Sequence, residues 1–482
     1  MDLLKNVYLF QLIMALPEGF HSSLDYFRAT LAFLRDHSWI YITPNTRFIK
    51  AGLLEKIPSD YINYFLHLKN SELNIFPFLH DNEDFHNGID SIALQTFRSV
   101  LRGLIPKEVH DSKSTPNQLE LLPKCRLRKM SVKKQHEIVQ LTKVIKTQCN
   151  DIHLLIDFGA GLGYLSETLC SINKSWRILG LEADVFRVMG ARKRLRQQIS
   201  EMSERVTYVQ QFIEPNAGNA IKYHISRSGL TGLTKWAIIG LHACADLSVT
   251  SIKLFFEMAE VKRLVIMPCC YHKLSQTSNG HFLNFPLSTT LKSAVTEADT
   301  NVLSYFNRPF LRLACQETSA RWRHCSEEEH VAHGEQMFWR AVADAIIDDE
   351  TEVIATIPKS QRPNNDWSEI KSFSTFRQMY KVRSKRADAE FLVADMWNNE
   401  HRDKFKKVVE KYAEVGPKLA EALTCLQTTI QKLCENIVLY DRVCYMNEYA
   451  ETQTNLKIMV KYHKILDEKL SPRCFALIAE KF

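Results

Sequence analysis

The sequence predicts an α/β protein built on a doubly wound, largely parallel sheet, and three observations predict it. An apolar run, Leu154-Leu155-Ile156, passes through Asp157 into a glycine-rich turn and then a helical stretch. Four more strand-like runs follow, at 176–181, 205–212, 235–241 and 262–267, separated by helical or polar segments. A last short β-like run, 474–479, follows Ser471-Pro472 after a long stretch of helical periodicity.

Composition bounds the rest. With 45% apolar and 24% charged residues in 482, the chain has the make-up of a globular protein, which excludes wholesale disorder. A formal charge of +7, from 62 basic against 55 acidic residues, is too mild to mark a nucleic-acid binder, so local patches must carry any such reading. The twelve cysteines lack a disulfide-framework spacing, and the opening MDLLKNVYLFQLIMAL lacks a basic leader region. These features lead us to expect free thiols in a reducing compartment, the cytoplasm first and the nucleus as the alternative. No apolar run approaches the roughly 20 residues that span a bilayer, so a soluble chain is expected.

In chain order, residues 1–120 read as a mainly helical cap. Leu24, Phe27, Leu31 and Leu34 recur at helical spacing, and Pro17, Pro44, Pro58 and Pro77 break the pattern into short pieces. Trp39-Ile40-Tyr41 could stack on a base, but such clusters are more often core. Residues 107–124 are polar, with Pro116 and Pro123, and read as a linker; a boundary near 120 leaves 121–482 as the second domain. Arg126, Arg128, Lys129, Lys133 and Lys134 then cluster around Ser131, which can cap a helix through Ile138, Leu141 and Val144. A solvated face is the plain reading of that cluster, and phosphate or substrate contact is the other.

The first strand, 152–157, leads to Gly159, Gly161 and Gly163. Glycines allow a tight turn and let a ligand approach backbone N–H groups with no Cβ between. A dinucleotide fingerprint would place its third small residue at 164, where this chain has Tyr164, so the spacing favours S-adenosylmethionine. The second strand ends in Glu182, where a carboxylate can accept from both ribose hydroxyls. A basic helix follows, with Arg187, Arg192, Lys193, Arg194 and Arg196, read as solvated surface. The third strand brings Gln211 or Phe212 toward the adenine position.

The fourth and fifth strands carry unusual side chains. His242, Cys244 and Asp246 follow one; Cys269, Cys270 and His272 follow the other. Ligands of such sheets sit beyond the carboxyl ends of the strands, so these residues converge if the two strands are neighbours. Three readings are open. Zinc suits thiolates and imidazoles, but Cys269 and Cys270 are adjacent where structural sites space their cysteines, and no metal is assigned. Free cysteines can simply pack as small hydrophobes. The favoured reading is a substrate and cofactor crevice, with His242, Asp246, Cys270 and His272 as candidate catalytic groups and Asp246 or a histidine accepting a proton.

Together DFGAGLGYLS, GLHACADLS and CCYHKLS resemble the methyltransferase-like protein 25 family, which includes a relative once named for a ribosomal RNA adenine dimethylase domain. MSVKKQHE at 130–137, RPFLRLACQ at 308–316 and LSPRCFALIAEK at 470–481 extend the likeness over most of 126–482. The resemblance implies a Rossmann-like class I methyltransferase fold with Asp157, Gly159, Gly161, Gly163 and Glu182 at S-adenosylmethionine. It further implies that Lys134, His136 and Glu137 lie on the helix approaching the cofactor, and that the His242 and Cys270 motifs border the substrate. The H-x-C and C-C-x-H pair is also distantly similar to transfer RNA 2′-O-methyltransferases. Two departures stand out: Ala245 where the family commonly has Gly, and Met267-Pro268 where Val-Gly is more usual.

Beyond the fifth strand, 276–300 reads as a polar loop and about 325–450 as helices, with another basic patch at Arg383, Lys385 and Arg386. By the resemblance, 474–479 is a late antiparallel strand set into the sheet, which makes 300–465 a mainly helical insertion before the last strand. The expected function is transfer of a methyl group to a macromolecular acceptor, RNA slightly ahead of a protein side chain. A cofactor-binding pseudoenzyme serving as an interaction module is the reading from another class. No N/D-P-P-Y/F segment follows the fourth strand, which argues against adenine N6 as the acceptor.

Overall fold

The computed structural model describes residues 16–80, 85, 88–106, 130–197, 200–298, 301–316, 318–363, 366–385, 396–412 and 414–482. The expected linker at 107–124, the boundary near 120, and Arg126, Arg128, Lys129 and Arg386 lie outside them. Nine strands are described: β1 Leu154–Phe158, β2 Arg177–Glu182, β3 Val206–Gln210, β4 Trp236–Cys244, β5 Val261–Cys269, β6 Glu352–Thr356, β7 Tyr380–Ser384, β8 Ile458–Lys464 and β9 Phe475–Lys481.

Seven strands form one sheet in the order β3-β2-β1-β4-β5-β9-β8. The first five run parallel, while β9 is antiparallel to both β5 and β8. The predicted α/β class and the inserted late strand are therefore present. Every residue of β1 is buried, because parallel strands carry helices on both faces and read as unbroken apolar runs. Helix Asp246–Glu257 packs on β4 and β5, and helix Val185–Arg196 on β2 and β3.

The register of β9 is set by charge as well as by apolar residues. Arg263 on β5 faces Glu480 and pairs with its carboxylate at 2.5 Å. The buried ammonium of Lys481 donates to the carbonyls of Phe255 and Met258 at the end of helix Asp246–Glu257, satisfying acceptors that the helix leaves open.

Chain contacts divide the molecule differently from the sequence expectation of a 1–120 cap and a 300–465 insertion. One unit comprises 1–32, 103–318 and 432–482; the other comprises 33–102 and 319–431. The long helix Gly416–Glu451 gives its first residues to the second unit and the rest to the first, so no loop marks that boundary. Residues of the N-terminal stretch belong with the sheet unit, where the Tyr26 hydroxyl accepts from Asn436 Nδ2 at 2.7 Å. Segment 276–300 is not all loop, since Thr289–Ala298 is helical. Asp441 accepts from the N–H groups of Leu287 and Ser288, and Glu448 from those of Thr289 and Thr290, so distant carboxylates cap this helix.

The second unit holds the antiparallel pair β6 and β7 as well as helices, so the 300–465 region is less purely helical than its periodicity suggests. Ile40 and Tyr41 are buried there, in line with core rather than a stacking platform. Glu421 accepts from His330 and His333, and Trp339, Phe376 and Phe405 form an aromatic core.

Candidate active site

The three glycines after β1 all adopt left-handed backbone, with φ of 70° at Gly159, 57° at Gly161 and 80° at Gly163. They are not equivalent. A Cβ on Gly163 would collide with the Tyr208 hydroxyl, which itself donates to the Gly163 carbonyl at 3.1 Å, so the space at Gly163 is filled from within by β3. A Cβ on Gly161 would meet only the Gly159 carbonyl oxygen, at 3.9 Å. Gly161 thus leaves the top of the turn clear for a ligand.

Glu182, at the end of β2, reaches back to this turn. Its Oε2 accepts from Gly161 N–H at 2.9 Å and its Oε1 from Asp184 N–H at 3.1 Å. Asp157 lies beneath, fully buried, accepting from Ser166 Oγ at 2.6 Å. Burial pushes its carboxyl up to about 7, against the opposing pull of Ser166 and of the nearby Lys134 ammonium. Asp157 is therefore a floor that ties β1 to helix Tyr164–Ile172.

Phe186 and Met189, on the helix Val185–Arg196 that follows β2, and Phe212, just past β3, stand in the open. Gln211 Oε1 accepts from His224 Nε2 at 3.0 Å, and Gln211 Nε2 donates to the Phe212 carbonyl. Exposed apolar surface beside a glycine turn and a ribose-type acid is what a flat heterocycle would cover.

The helix before β1, Val132–Gln148, is capped by Ser131, whose side chain accepts from Lys134 N–H as its sequence predicts. Its three expected cofactor residues separate. Lys134 is half-buried, its ammonium disfavoured by burial but supported by Glu137 and Asp157. Glu137 is buried and binds His242 and Ser471. His136 points elsewhere, accepting from Asp467 N–H at 3.0 Å.

β4 delivers His242 through a bulge. Gly240 pairs with Ile266 and Ala243 with Pro268, so β4 carries one extra residue between them. An extra residue re-aims the side chains around it. His242 is 43% exposed while Glu137, 3.3 Å from its Nε2, is 3% exposed. Burial alone would raise the Glu137 carboxyl, but the bonds from His242 and Ser471 outweigh it and hold Glu137 below the usual range. The pair presents a part-exposed imidazole with a buried carboxylate behind it.

The other candidates sort into separate arrangements. Asp246 accepts from Ser275 N–H and Oγ and from Asn284 Nδ2, so its carboxylate fastens the 275–284 segment to its helix. That engagement displaces it from the proton-acceptor role its sequence position suggests. His272 shares a hydrogen bond with Cys315 Sγ at 3.1 Å. Cys270 gathers with Cys244 and Cys269, all three sulfurs lying within 4.8 Å of one another. Bonds from the Cys244 and Cys269 thiols hold Cys270 far below the usual thiol range, while the same contacts push Cys269 up.

Pro268 fits its strand because β5 pairs with β9 only as far as Ile266, so its missing N–H breaks no ladder there. Sequence reasoning missed Ser471 and Tyr208: one is an ordinary serine before a proline and the other an ordinary strand tyrosine. Only the capping Ser131 and the glycine spacing carried a local signal. On the basic helix, Arg192 donates to the Tyr208 carbonyl and Arg194 pairs with buried Glu167, leaving Arg187, Lys193 and Arg196 exposed. No helix among the described residues is long and apolar enough to cross a membrane.

A family model described as a methyltransferase domain matches residues 133–277, from the Ser131-capped helix to just past His272. The protein described as probable methyltransferase-like protein 25 from Mus musculus is 25% identical over 259 residues, covering 51% of this chain and 37% of that relative. Its Homo sapiens counterpart is 27% identical over 259 residues, 51% of this chain and 36% of the relative. The chain thus matches little more than a third of the length of these curated relatives. Among solved structures, the methyltransferase domain of bacterial-CtHen1-C covers 47% of this chain and 89% of its own at 14% identity and a TM-score of 0.21. The glycopeptide N-methyltransferase MtfA complexed with S-adenosyl-L-methionine covers 27% and 53% at 12% identity and a TM-score of 0.19.

Proposed function

We propose, from the methyltransferase-domain match over residues 133–277 and the similarity to methyltransferase-like protein 25, that the chain transfers a methyl group from S-adenosylmethionine to RNA. The observation that carries the cofactor is the contact of Glu182 with Gly161 N–H at 2.9 Å, which sets a ribose-type acid against an open left-handed turn. Gly159 and Gly161 would border the bound cofactor, Glu182 would accept from its ribose hydroxyls, and Phe212 with Phe186 would cover its adenine. S-Adenosylmethionine supplies an electrophilic methyl group on a sulfonium sulfur.

His242 is the group placed to take a proton from the acceptor. It stands exposed on its bulge, and Glu137 fixes the ring from behind, an orienting arrangement that favours the proton-accepting tautomer. Most of the catalytic advantage then lies in holding the acceptor atom near the methyl carbon. The preference for RNA rests on Arg187, Lys193 and Arg196, which are exposed on the helix Val185–Arg196 that follows β2 and suit a phosphate backbone.

Calorimetric titration with S-adenosylmethionine tests the cofactor: wild type binds, and Glu182→Ala weakens binding by about tenfold or more, the loss of two charge-assisted hydrogen bonds. Equal binding by both proteins contradicts the site. Incubation with labelled S-adenosylmethionine and cell extract tests the acceptor, with RNase-sensitive label expected. Label that survives RNase and is lost to protease excludes RNA.

A further inference from the structure

Cys244, Cys269 and Cys270 answer to no step of methyl transfer, yet the fold brings their sulfurs together where β4 and β5 end. Cys244 and Cys269 are paired partners on neighbouring parallel strands, with sulfurs 2.9 Å apart. Side chains alternate along a strand, so an adjacent pair such as Cys269-Cys270 should point to opposite faces. In the sequence the adjacency argues against a metal, because structural zinc sites space their cysteines. Cys270 escapes the alternation by adopting left-handed backbone, φ 54° and ψ 44°, which brings its thiol round to the side of the other two. A non-glycine residue in that region costs on the order of 1 kcal/mol, and here it opens the short helix Tyr271–Lys273, with the Cys270 carbonyl accepting from Lys273 N–H.

We propose that Cys244, Cys269 and Cys270 bind one zinc ion through three thiolates. Thiolate sulfurs at about 2.3 Å from a tetrahedral zinc lie about 3.8 Å apart. A cluster whose members all lie within 4.8 Å needs movements of about one ångström or less to reach that spacing, the 2.9 Å Cys244–Cys269 contact opening and no pair having more than about 1 Å to close. Three thiolates on a divalent ion leave one negative charge, and the guanidinium of Arg473, which interacts with Cys269 and Cys270, stands there to balance it. The thiol protons leave to solvent as the metal binds. One tetrahedral position is left for water or another small donor. The ion would tie the ends of β4 and β5 together beside His242, and the assignment does not depend on the methyl acceptor.

A disulfide between Cys244 and Cys269 is the rival occupant, since paired strands place Cα atoms at a distance that a disulfide tolerates. It would use two of the thiols and leave the Cys270 thiol, gathered to the same point, unused.

The full chain, purified under reducing conditions, should carry about one zinc by elemental analysis. Replacement by cobalt(II) should give thiolate-to-metal charge-transfer absorption in the near ultraviolet. Cys270→Gly keeps the left-handed turn and removes only the thiol; it should fold as wild type by circular dichroism yet lose at least tenfold in cobalt affinity. Cys325→Ser, in the other unit, should bind as wild type. Wild type that takes up neither ion, a Cys270→Gly variant that holds cobalt unchanged, or a non-reduced chain lighter by two hydrogens through a Cys244–Cys269 bond would each overturn the assignment.

Discussion

His242 Nε2 stands 3.3 Å from Glu137 Oε2, and the other oxygen of that carboxylate accepts from Ser471 Oγ at 2.9 Å. One buried group therefore joins the helix before β1, the bulge of β4 and the segment leading into β9. Glu137→Gln keeps the shape and removes the charge, so stability at neutral pH should fall by about 1–3 kcal/mol, the range for hydrogen bonds to a charged group. The folded carboxyl lies below its ordinary value of 4.5. A depressed value means that the stabilisation is complete above about 4.5 and is lost as pH falls through the folded value. The gap between wild type and variant in urea unfolding should thus be flat near neutrality and close in acid; a gap that is constant down to low pH contradicts the charged pairing.

Gly161 and Gly163 should fail in different ways when changed to Ala. Both pay for left-handed backbone, roughly 1–2 kcal/mol. At Gly163 the added carbon also collides with Tyr208, so Gly163→Ala should lose stability beyond that figure. Gly161→Ala has room in the free protein, and its further loss should appear in S-adenosylmethionine affinity. Thermal unfolding paired with calorimetry separates the two, and identical behaviour of both variants would contradict the division of roles.

These glycines also show how far the sequence is legible. The D-x-G-x-G-x-G spacing announces a turn, and apolar runs announce five parallel strands, because local backbone freedom and unbroken hydrophobicity are written in neighbouring residues. Which glycine faces a ligand is not so written, since it depends on Tyr208 arriving from β3. The helix Thr289–Ala298 was hidden in a Ser/Thr-rich stretch because its caps, Asp441 and Glu448, come from the far end of the chain. The acid at 246 looked catalytic from its place after a strand; its partners Ser275 and Asn284 become visible only when the loop folds back. The three cysteines were legible as neighbours, but the turn that gathers their thiols was not.

Asp157 gives a second pH signature, opposite in sign to that of Glu137. Its folded carboxyl sits at about 7 against an ordinary 3.8, so the folded state favours the protonated form. Stability from this group is fully present below about 3.8 and is lost as pH rises toward 7. Asp157→Asn resembles the protonated acid at every pH. Its stability relative to wild type should therefore climb between pH 4 and 7 and then level off, by an amount on the order of 1–4 kcal/mol. Chemical denaturation at pH 5 and at pH 8 measures it; a wild type that gains on the variant as pH rises would contradict the buried acid.

Ala245 occupies a backbone that suits glycine. Its φ of 49° and ψ of −127° lie where a Cβ costs about 1–3 kcal/mol, and it is held there by its N–H bond to the Cys269 carbonyl and by Ser248, which donates to its carbonyl. Ala245→Gly should relieve that strain, less the roughly 0.4–1 kcal/mol that glycine adds to the freedom of the unfolded chain. The net gain should be about 1 kcal/mol, a rise of a few degrees or less in Tm for a domain of this size. Ala245→Val should move the other way, because a branched side chain is excluded from this region more strongly. Neither change touches a thiol, so zinc content should be the same in both. A lower Tm for Ala245→Gly than for wild type would mean that the Cβ packs more than it strains.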